Sequence, residues 1–246
     1  MRRTNLHIGC AGWSIPVAHS QRFEGEGSHL ERYARVFNTV EINSSFYRPH
    51  QQKTYLRWAG SVPDHFTFSV KIPKEITHER KLADCEIPLQ RFLDEVAGLG
   101  QKLSVLLIQL PPKLELNTAV VADFFTLLRG SYEGLAACEP RHASWFSAEG
   151  EALLREFKIA RVAADPAPRA LTEVAAVSQP GGWDGFRYYR LHGSPKMYYS
   201  AYSQEFVQEI AAQLNQQKSP AWCIFDNTTL GAAIPNALDL KRMLEA

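Results

Sequence analysis

The chain has little cysteine. Cys10, Cys85, Cys138 and Cys223 are its only four, and no two of them form a CxxC pair. That spacing excludes a structural zinc knot, a thioredoxin-like motif and a disulfide scaffold. Long apolar runs are also lacking: none approaches the roughly 18 residues that a membrane span needs. The start, Met1-Arg2-Arg3-Thr4-Asn5, carries two arginines without the apolar stretch of a secretory leader. The expectation is a cytoplasmic protein with no membrane partner. Neither sign of charge dominates, because 27 Lys and Arg stand against 26 Asp and Glu, for a formal net charge of +1. A nucleic acid would therefore need a local patch of cations. Fifteen Gly and 14 Pro are spread among 11% aromatic residues, which excludes a disordered, collagenous or low-complexity chain. Gly9-Cys10-Ala11-Gly12 falls short of the glycine fingerprint of a doubly wound nucleotide-binding fold.

What is present is an alternation. Eight strand-like runs recur: Leu6–Cys10, Thr39–Asn43, Phe66–Lys71, Leu103–Gln109, Leu135–Glu139, Ile159–Asp165, Phe186–His192 and Trp222–Asn227. Segments with helical spacing lie between them. Leu30, Tyr33, Ala34 and Phe37 follow a Ser28-x-x-Glu31 capping box, and Leu89, Phe92, Leu93 and Val96 follow Pro88. Val120, Val121, Phe124, Phe125 and Leu128 stand behind Asn117, Phe206, Ile210 and Leu214 behind Ser203, and Ile234 and Leu238 come near the end. Strands alternating with helices imply parallel βαβ units. Eight units in 246 residues predict an α/β protein with a closed parallel (β/α)8 barrel of the TIM type, formed by a single domain over 1–246.

In such a barrel alternate strand residues point inward, and those at the carboxyl ends open into the site. Thr67, Ser69 and Lys71 alternate with Phe68 and Val70, so Lys71 is expected at the mouth. The same phase puts Glu41 and Asn43, Glu139, and Arg190 with His192 inside, while Gln109, Asp165 and Asp226 close their strands. The loops add Tyr47, Arg141, His142, Trp145 and Asn227. Glu41, Lys71, Glu139, Asp165 and His192 are the candidate catalytic groups. Asn43, Tyr47, Gln109, Arg141, His142, Trp145, Arg190, Asp226 and Asn227 are the candidate substrate contacts. Guanidinium forks and aromatic rings suit a small anionic or polyhydroxylated ligand. Arg141, two residues beyond its strand, is expected to reach over the mouth and take such an anion. The alternative is an ion network of Lys71, Arg190 and the carboxylates that merely fills the barrel.

At these residues the sequence becomes recognisable. It resembles, from end to end, the family called Domain of Unknown Function 72, or YecE-like. The resemblance rests on Ile8-Gly9-Cys10-Ala11-Gly12-Trp13-Ser14, Val40-Glu41-Ile42-Asn43-Ser44-Ser45-Phe46-Tyr47, Phe68-Ser69-Val70-Lys71, Ile76-Thr77-His78, Gln109-Leu110-Pro111-Pro112, Glu139-Pro140-Arg141-His142-Ala143-Ser144-Trp145, Arg190-Leu191-His192-Gly193 and Asn227-Thr228. It implies a TIM-barrel-like fold and no assigned activity. The chain departs from the family's pattern in two places: Ile15-Pro16 stands where an aromatic residue and a second Trp are usual, and Asp226 stands where Asn is usual.

Three classes of function follow. The first is an enzyme using acid–base chemistry on a phosphorylated or sugar-like substrate. A divalent metal would suit Glu41, Glu139, Asp165 and His192 where they converge, although Glu41 and Glu139 come from nearly opposite strands. As a glycosidase, the same two glutamates would flank a sugar. The second class is a nucleic-acid binding or cleaving protein using Lys71, Arg141, Arg190 and the aromatic loops. The third is a non-catalytic ligand-binding barrel, in which every carboxylate is neutralised by a cation. The cysteines give a first prediction, since Cys10, Cys138 and Cys223 sit in apolar runs. Replacing any of the three by Ser should lower stability by roughly 1–3 kcal/mol without changing ligand binding. Denaturant titration measures the loss, and rapid thiol labelling of the folded protein would contradict the burial.

Overall fold

The computed structural model describes residues 5–167, 171 and 174–245. The start Met1–Thr4, on which an expectation was stated above, lies outside them. Parallel ladders join β2 (Thr39–Ile42), β3 (Thr67–Lys71), β4 (Leu103–Gln109), β5 (Leu135–Glu139) and β6 (Ile159–Arg161). The short β8 (Gly181–Gly182) is antiparallel to β6 and completes a six-stranded sheet. A second sheet has four parallel strands in the order β1 (Leu6–Cys10), β10 (Ala221–Phe225), β9 (Arg187–Leu191) and β7 (Ala163–Asp165). The result is an α/β fold with mixed sheets.

In place of one unbroken ring of ladders for the expected eight-stranded barrel, the strands form two sheets that meet at two seams. At the first, β1 and β2 share a single bridge, Ala11 to Glu41, where the Gly12 amide donates to the Glu41 carbonyl at 2.9 Å. Below it, side chains replace the ladder. The Tyr33 hydroxyl accepts from the Cys10 amide at 2.7 Å and donates to the Thr39 carbonyl at 3.1 Å. The Asn38 amide accepts from the Ile8 N–H at 2.9 Å and donates to the Leu6 carbonyl at 2.8 Å. Gly9 permits this approach, since a Cβ there would lie 2.1 Å from the Thr39 oxygen. At the second seam the run Ile159–Asp165 divides between the sheets: β6 pairs with β5, β7 pairs with β9, and β8 occupies the free edge of β6.

The helices agree with their sequence signals. α1 (His29–Val36) begins with the Ser28/Glu31 capping box. Next come α2 (Ser44–Tyr47), α3 (Gln52–Gly60) and α4 (Glu86–Val96). Asn117 caps α5 (Thr118–Ser131), Ser147 caps α6 (Ala148–Glu156), Ser203 caps α7 (Gln204–Gln216), and α8 (Ala233–Glu245) closes the chain. Each side-chain oxygen satisfies an amide that the first turn leaves free. Sequence periodicity missed α2, α3 and α6, which are short or only partly apolar. None of the described helices is long and apolar enough to cross a membrane.

The strands separate two apolar layers. Val40, Ile42, Phe68, Val70, Leu106 and Ile108 face the helices. Val105, Leu107, Ala137, Tyr188, Trp222 and Ile224 fill the interior. All four cysteines are buried. Burial pushes the Cys85 thiol up to about 11 and the Cys10 thiol up to about 12. Because the ladders are parallel, the inward polar residues of every strand gather at one end. The first seam is testable. Tyr33→Phe should cost about 1–3 kcal/mol by leaving the Cys10 amide and Thr39 carbonyl unpaired. Tyr132→Phe should cost little, since its buried hydroxyl has no hydrogen-bond partner among the described residues. Urea denaturation of the two variants, with equal losses, would contradict the role given to Tyr33.

Candidate functional site

A single guanidinium organises the strand ends. Arg190, on β9 and 1% exposed, points inward because its neighbours Tyr189 and Leu191 face the helices. Its Nε donates to Glu41 Oε2 at 3.0 Å, and its Nη2 donates to Glu41 Oε1 at 2.7 Å. Nη1 donates to Glu139 Oε2 at 2.5 Å, and Nη2 also reaches Asp226 Oδ2 at 2.9 Å. The Tyr188 hydroxyl donates to Glu41 Oε2 at 2.9 Å. His192, one residue past the strand, lies between Asp226 Oδ2 at 3.0 Å from Nδ1 and Glu139 Oε1 at 3.2 Å from Nε2. Both partners are carboxylates, so both ring nitrogens act as donors and the ring carries a proton.

The charges explain the shifts. Burial alone would raise Glu139, but Arg190, Arg141 and His192 overcome it and hold its carboxyl well below the ordinary value. Asp226 is likewise lowered, against its burial, by Arg190 and His192. Burial pulls His192 down, yet Glu139 and the hydrogen bond to Asp226 leave it above the usual imidazole value. Lys71, at the end of β3, enters no ion pair among the described residues. Its ammonium lies 3.9 Å over the Phe46 ring, with the residue 8% exposed. Burial, with Arg190 next, brings its amine down to about 8, against the pull of the carboxylates.

Arg141 does not stand free. Its Nε and Nη2 donate to Glu139 Oε1 at 3.0 and 2.8 Å, and Nη2 also donates to the Tyr198 hydroxyl at 3.1 Å. The expected reach over the mouth gives way to a nearer carboxylate two residues back. Asn43 touches the network through Nδ2, 3.5 Å from Asp226 Oδ1. Gln109 is buried at the end of β4, in register with Glu139, and Tyr47 is exposed at the rim. Asp165 is half-buried, with Oδ1 unpartnered among the described residues, and burial raises its carboxyl.

Three candidates serve the framework instead. Trp145 is fully buried in the helix-facing layer and donates to the Leu114 carbonyl at 2.9 Å, so it lines no mouth. Its run is apolar on the side that meets the helices, and burial of a large ring prevails over ligand contact. His142 Nδ1 accepts from the Ser144 amide at 3.3 Å and caps a short 3-10 turn. Asn227 donates to the Ser200 carbonyl at 2.9 Å and to Asn236 Oδ1 at 3.0 Å, tying a loop to α8.

Four residues outside the candidate catalytic and substrate-contact sets belong to the site. Tyr188 was legible as inward-facing on β9. Phe46 and His78 sit in the motifs quoted above, and their rings meet edge to face at 4.9 Å. Tyr198 packs edge to face on His192 at 5.4 Å and adopts a φ of 69°, a left-handed conformation unusual for a bulky residue. Among the described residues no group of three or more His, Cys, Asp or Glu is arranged to hold a metal ion. The donor set explains this. Both Glu41 oxygens, both Glu139 oxygens and Asp226 Oδ2 already accept from cationic groups. A dication beside Arg190 would have to displace them. The glutamates also cannot flank a sugar, because one guanidinium bridges the space between them.

The family described as protein of unknown function DUF72 matches residues 7–246. The UPF0759 protein YecE of Escherichia coli (strain K12) is 30% identical over 148 residues, 59% of this chain and 52% of YecE. The chain thus spans about half the length of that curated relative. The UPF0759 protein YunF of Bacillus subtilis (strain 168) is 25% identical over 271 residues, covering 98% of this chain and 94% of YunF. A crystal structure of a DUF72 family protein from Thermotoga maritima MSB8 has a TM-score of 0.80 at 25% identity, covering 98% of this chain and 99% of that one.

The network predicts a stability profile with two limbs. Glu139 and Asp226 titrate lower folded than unfolded, so their stabilisation is present above roughly pH 4–5 and is lost as pH falls through the folded values. His192 titrates higher folded, so its contribution is complete below about pH 6.5 and is lost as pH rises through the folded value. Melting temperature against pH should fall on both sides, and His192→Gln should remove the alkaline limb. An alkaline limb that persists in that variant would contradict a protonated His192.

Proposed function

Because the chain belongs to the DUF72 family of proteins of unknown function, we propose its activity from the strand-end site: an enzyme that uses acid–base chemistry on a small anionic or polyhydroxylated molecule, phosphorylated or sugar-like. One observation carries this reading. Glu41, Glu139 and Asp226 are all engaged by cations, whereas Lys71 is buried at the same mouth with no carboxylate partner among the described residues. An amine titrating near 8 is roughly one-tenth neutral at pH 7, enough to exchange protons in a catalytic cycle.

In this reading Lys71 moves the proton, whereas Asp165, in register with the helix-facing Leu191, stands off the mouth. Arg190, Arg141, His192 and Lys71 outnumber Glu41, Glu139 and Asp226 by one charge, which favours an anion. Asn43, Gln109 and Tyr47 stand at the rim to meet hydroxyls. We further read the two sheets as one TIM-like barrel, closed across the β1–β2 seam by Tyr33 and Asn38 rather than by a ladder. A ligand-binding barrel without chemistry is the second reading, and the neutralisation of the three carboxylates favours it. A nucleic acid is not favoured by a net charge of +1.

Calorimetric titration with inorganic phosphate and a sugar phosphate tests the site. Lys71→Met should weaken binding by roughly 10-fold to 150-fold, the equivalent of one charge-assisted hydrogen bond. Its melting temperature should hardly fall, because no ion pair is broken. Undiminished affinity in that variant would overturn the assignment of Lys71.

A further inference from the structure

We propose that the Lys71 amine is a carbon nucleophile, which forms an imine with the carbonyl of a small aldehyde or ketone that carries an anionic group. This deepens the function proposed above and rests on its reading of the mouth as a substrate site. The observations come from position. Lys71 ends a strand whose other inward residues, Thr67 and Ser69, point into the same interior, and its backbone carbonyl accepts from the Ser45 hydroxyl at 2.7 Å. The side chain is therefore aimed from a rigid base. A carboxylate within contact would fix the nitrogen as a paired ammonium, and the nearest ones, Glu41, Glu139 and Asp226, are turned toward Arg190. The Phe46 ring at 3.9 Å takes their place as the nitrogen's neighbour.

That neighbour suits the chemistry. A ring face stabilises a cation without accepting its proton, so it supports the iminium as it supports the ammonium. The neutral amine adds its lone pair to the carbonyl carbon, the C=O π bond breaks, and the oxygen takes a proton. The resulting carbinolamine loses that oxygen as water when the C–O bond breaks and the C=N bond forms. Overall, a protonated amine and a carbonyl give a protonated imine and water, with both departing hydrogens coming from the nitrogen. His78 belongs to the same cluster, since its ring meets Phe46 edge to face at 4.9 Å and its Nδ1 lies 2.8 Å from the Thr77 hydroxyl. Burial and the charges of Lys71 and Arg141 lower His78, which keeps the imidazole neutral and able to accept. The excess positive charge of the mouth selects carbonyl compounds bearing phosphate or carboxylate.

Incubation of the whole protein with dihydroxyacetone phosphate and sodium borohydride, followed by peptide mapping, reads the imine as a stable secondary amine. The adduct should appear at Lys71 at least tenfold faster than at the exposed Lys74 or Lys196, and Lys71→Arg should abolish it while keeping a positive charge. Labelling spread over the exposed lysines, with no preference for Lys71, would overturn the proposal. Calorimetry with inorganic phosphate on the same preparation separates the two readings. Phosphate binding without the Lys71 adduct overturns the imine alone, and loss of both overturns the anion site with it.

Discussion

Everything at the carboxyl end depends on the need of one buried guanidinium for counter-charges. Arg190 has almost no access to water, so its charge is tolerable only where carboxylates surround it. Glu41 comes from β2, Glu139 from β5 and Asp226 from the residue after β10. The first two strands belong to one sheet, and β9 and β10 belong to the other. The ionic contacts thus span the interior and connect two sheets that share few backbone hydrogen bonds. Such a network is a weak source of net stability when intact. Removing one member, however, strands a charge at a cost of about 3–5 kcal/mol.

The floor of the interior explains why the mouth is so dry. His7 stacks on Trp222 with ring centroids 4.2 Å apart, and Trp222 meets Phe186 edge to face at 5.6 Å. Burial brings His7 down to about 4, so it stays neutral there. Above these rings Val105, Leu107, Ala137 and Ile224 leave little polar surface below the ionic layer. Electrostatic interactions at the strand ends are correspondingly strong. Burial works against both charges: Glu139 stays an anion because Arg190, Arg141 and His192 overcome it, whereas Lys71, with no ion pair among the described residues, is left a weak cation. Which way each group shifts depends on whether it has a partner.

Partnering therefore sorts the charged residues by role. Glu41, Glu139, Asp226, Arg190 and Arg141 satisfy one another and fix the strand ends, with His192 locked between two acids. Lys71 forms the second group, with no ion pair among the described residues. A residue in the first group tunes the field, and a residue in the second is available to react. Tyr198 braces the first group, because its backbone, at a φ of 69°, brings a hydroxyl to Arg141 and a ring to His192.

Alternating apolar residues and caps determined the elements by themselves. The strand bounds of β1, β4 and β5, the Ser28/Glu31 box of α1 and the caps Asn117 and Ser203 follow from local hydrogen bonding and two-residue periodicity. That periodicity also put Glu41, Lys71, Glu139, Arg190 and His192 on inward faces, since a strand has only two sides. The split of Ile159–Asp165 between sheets was not legible, because it depends on β8 arriving from elsewhere to take the free edge. Nor was the side-chain stitching at β1 and β2, which needs Tyr33 and Asn38 from the intervening helix and turn. The fates of Arg141, Trp145 and Asn227 were decided in the same way. A sequence shows which groups are charged or apolar, but the partner each one finds depends on distances between strands remote in the chain, and only the packed fold sets those distances.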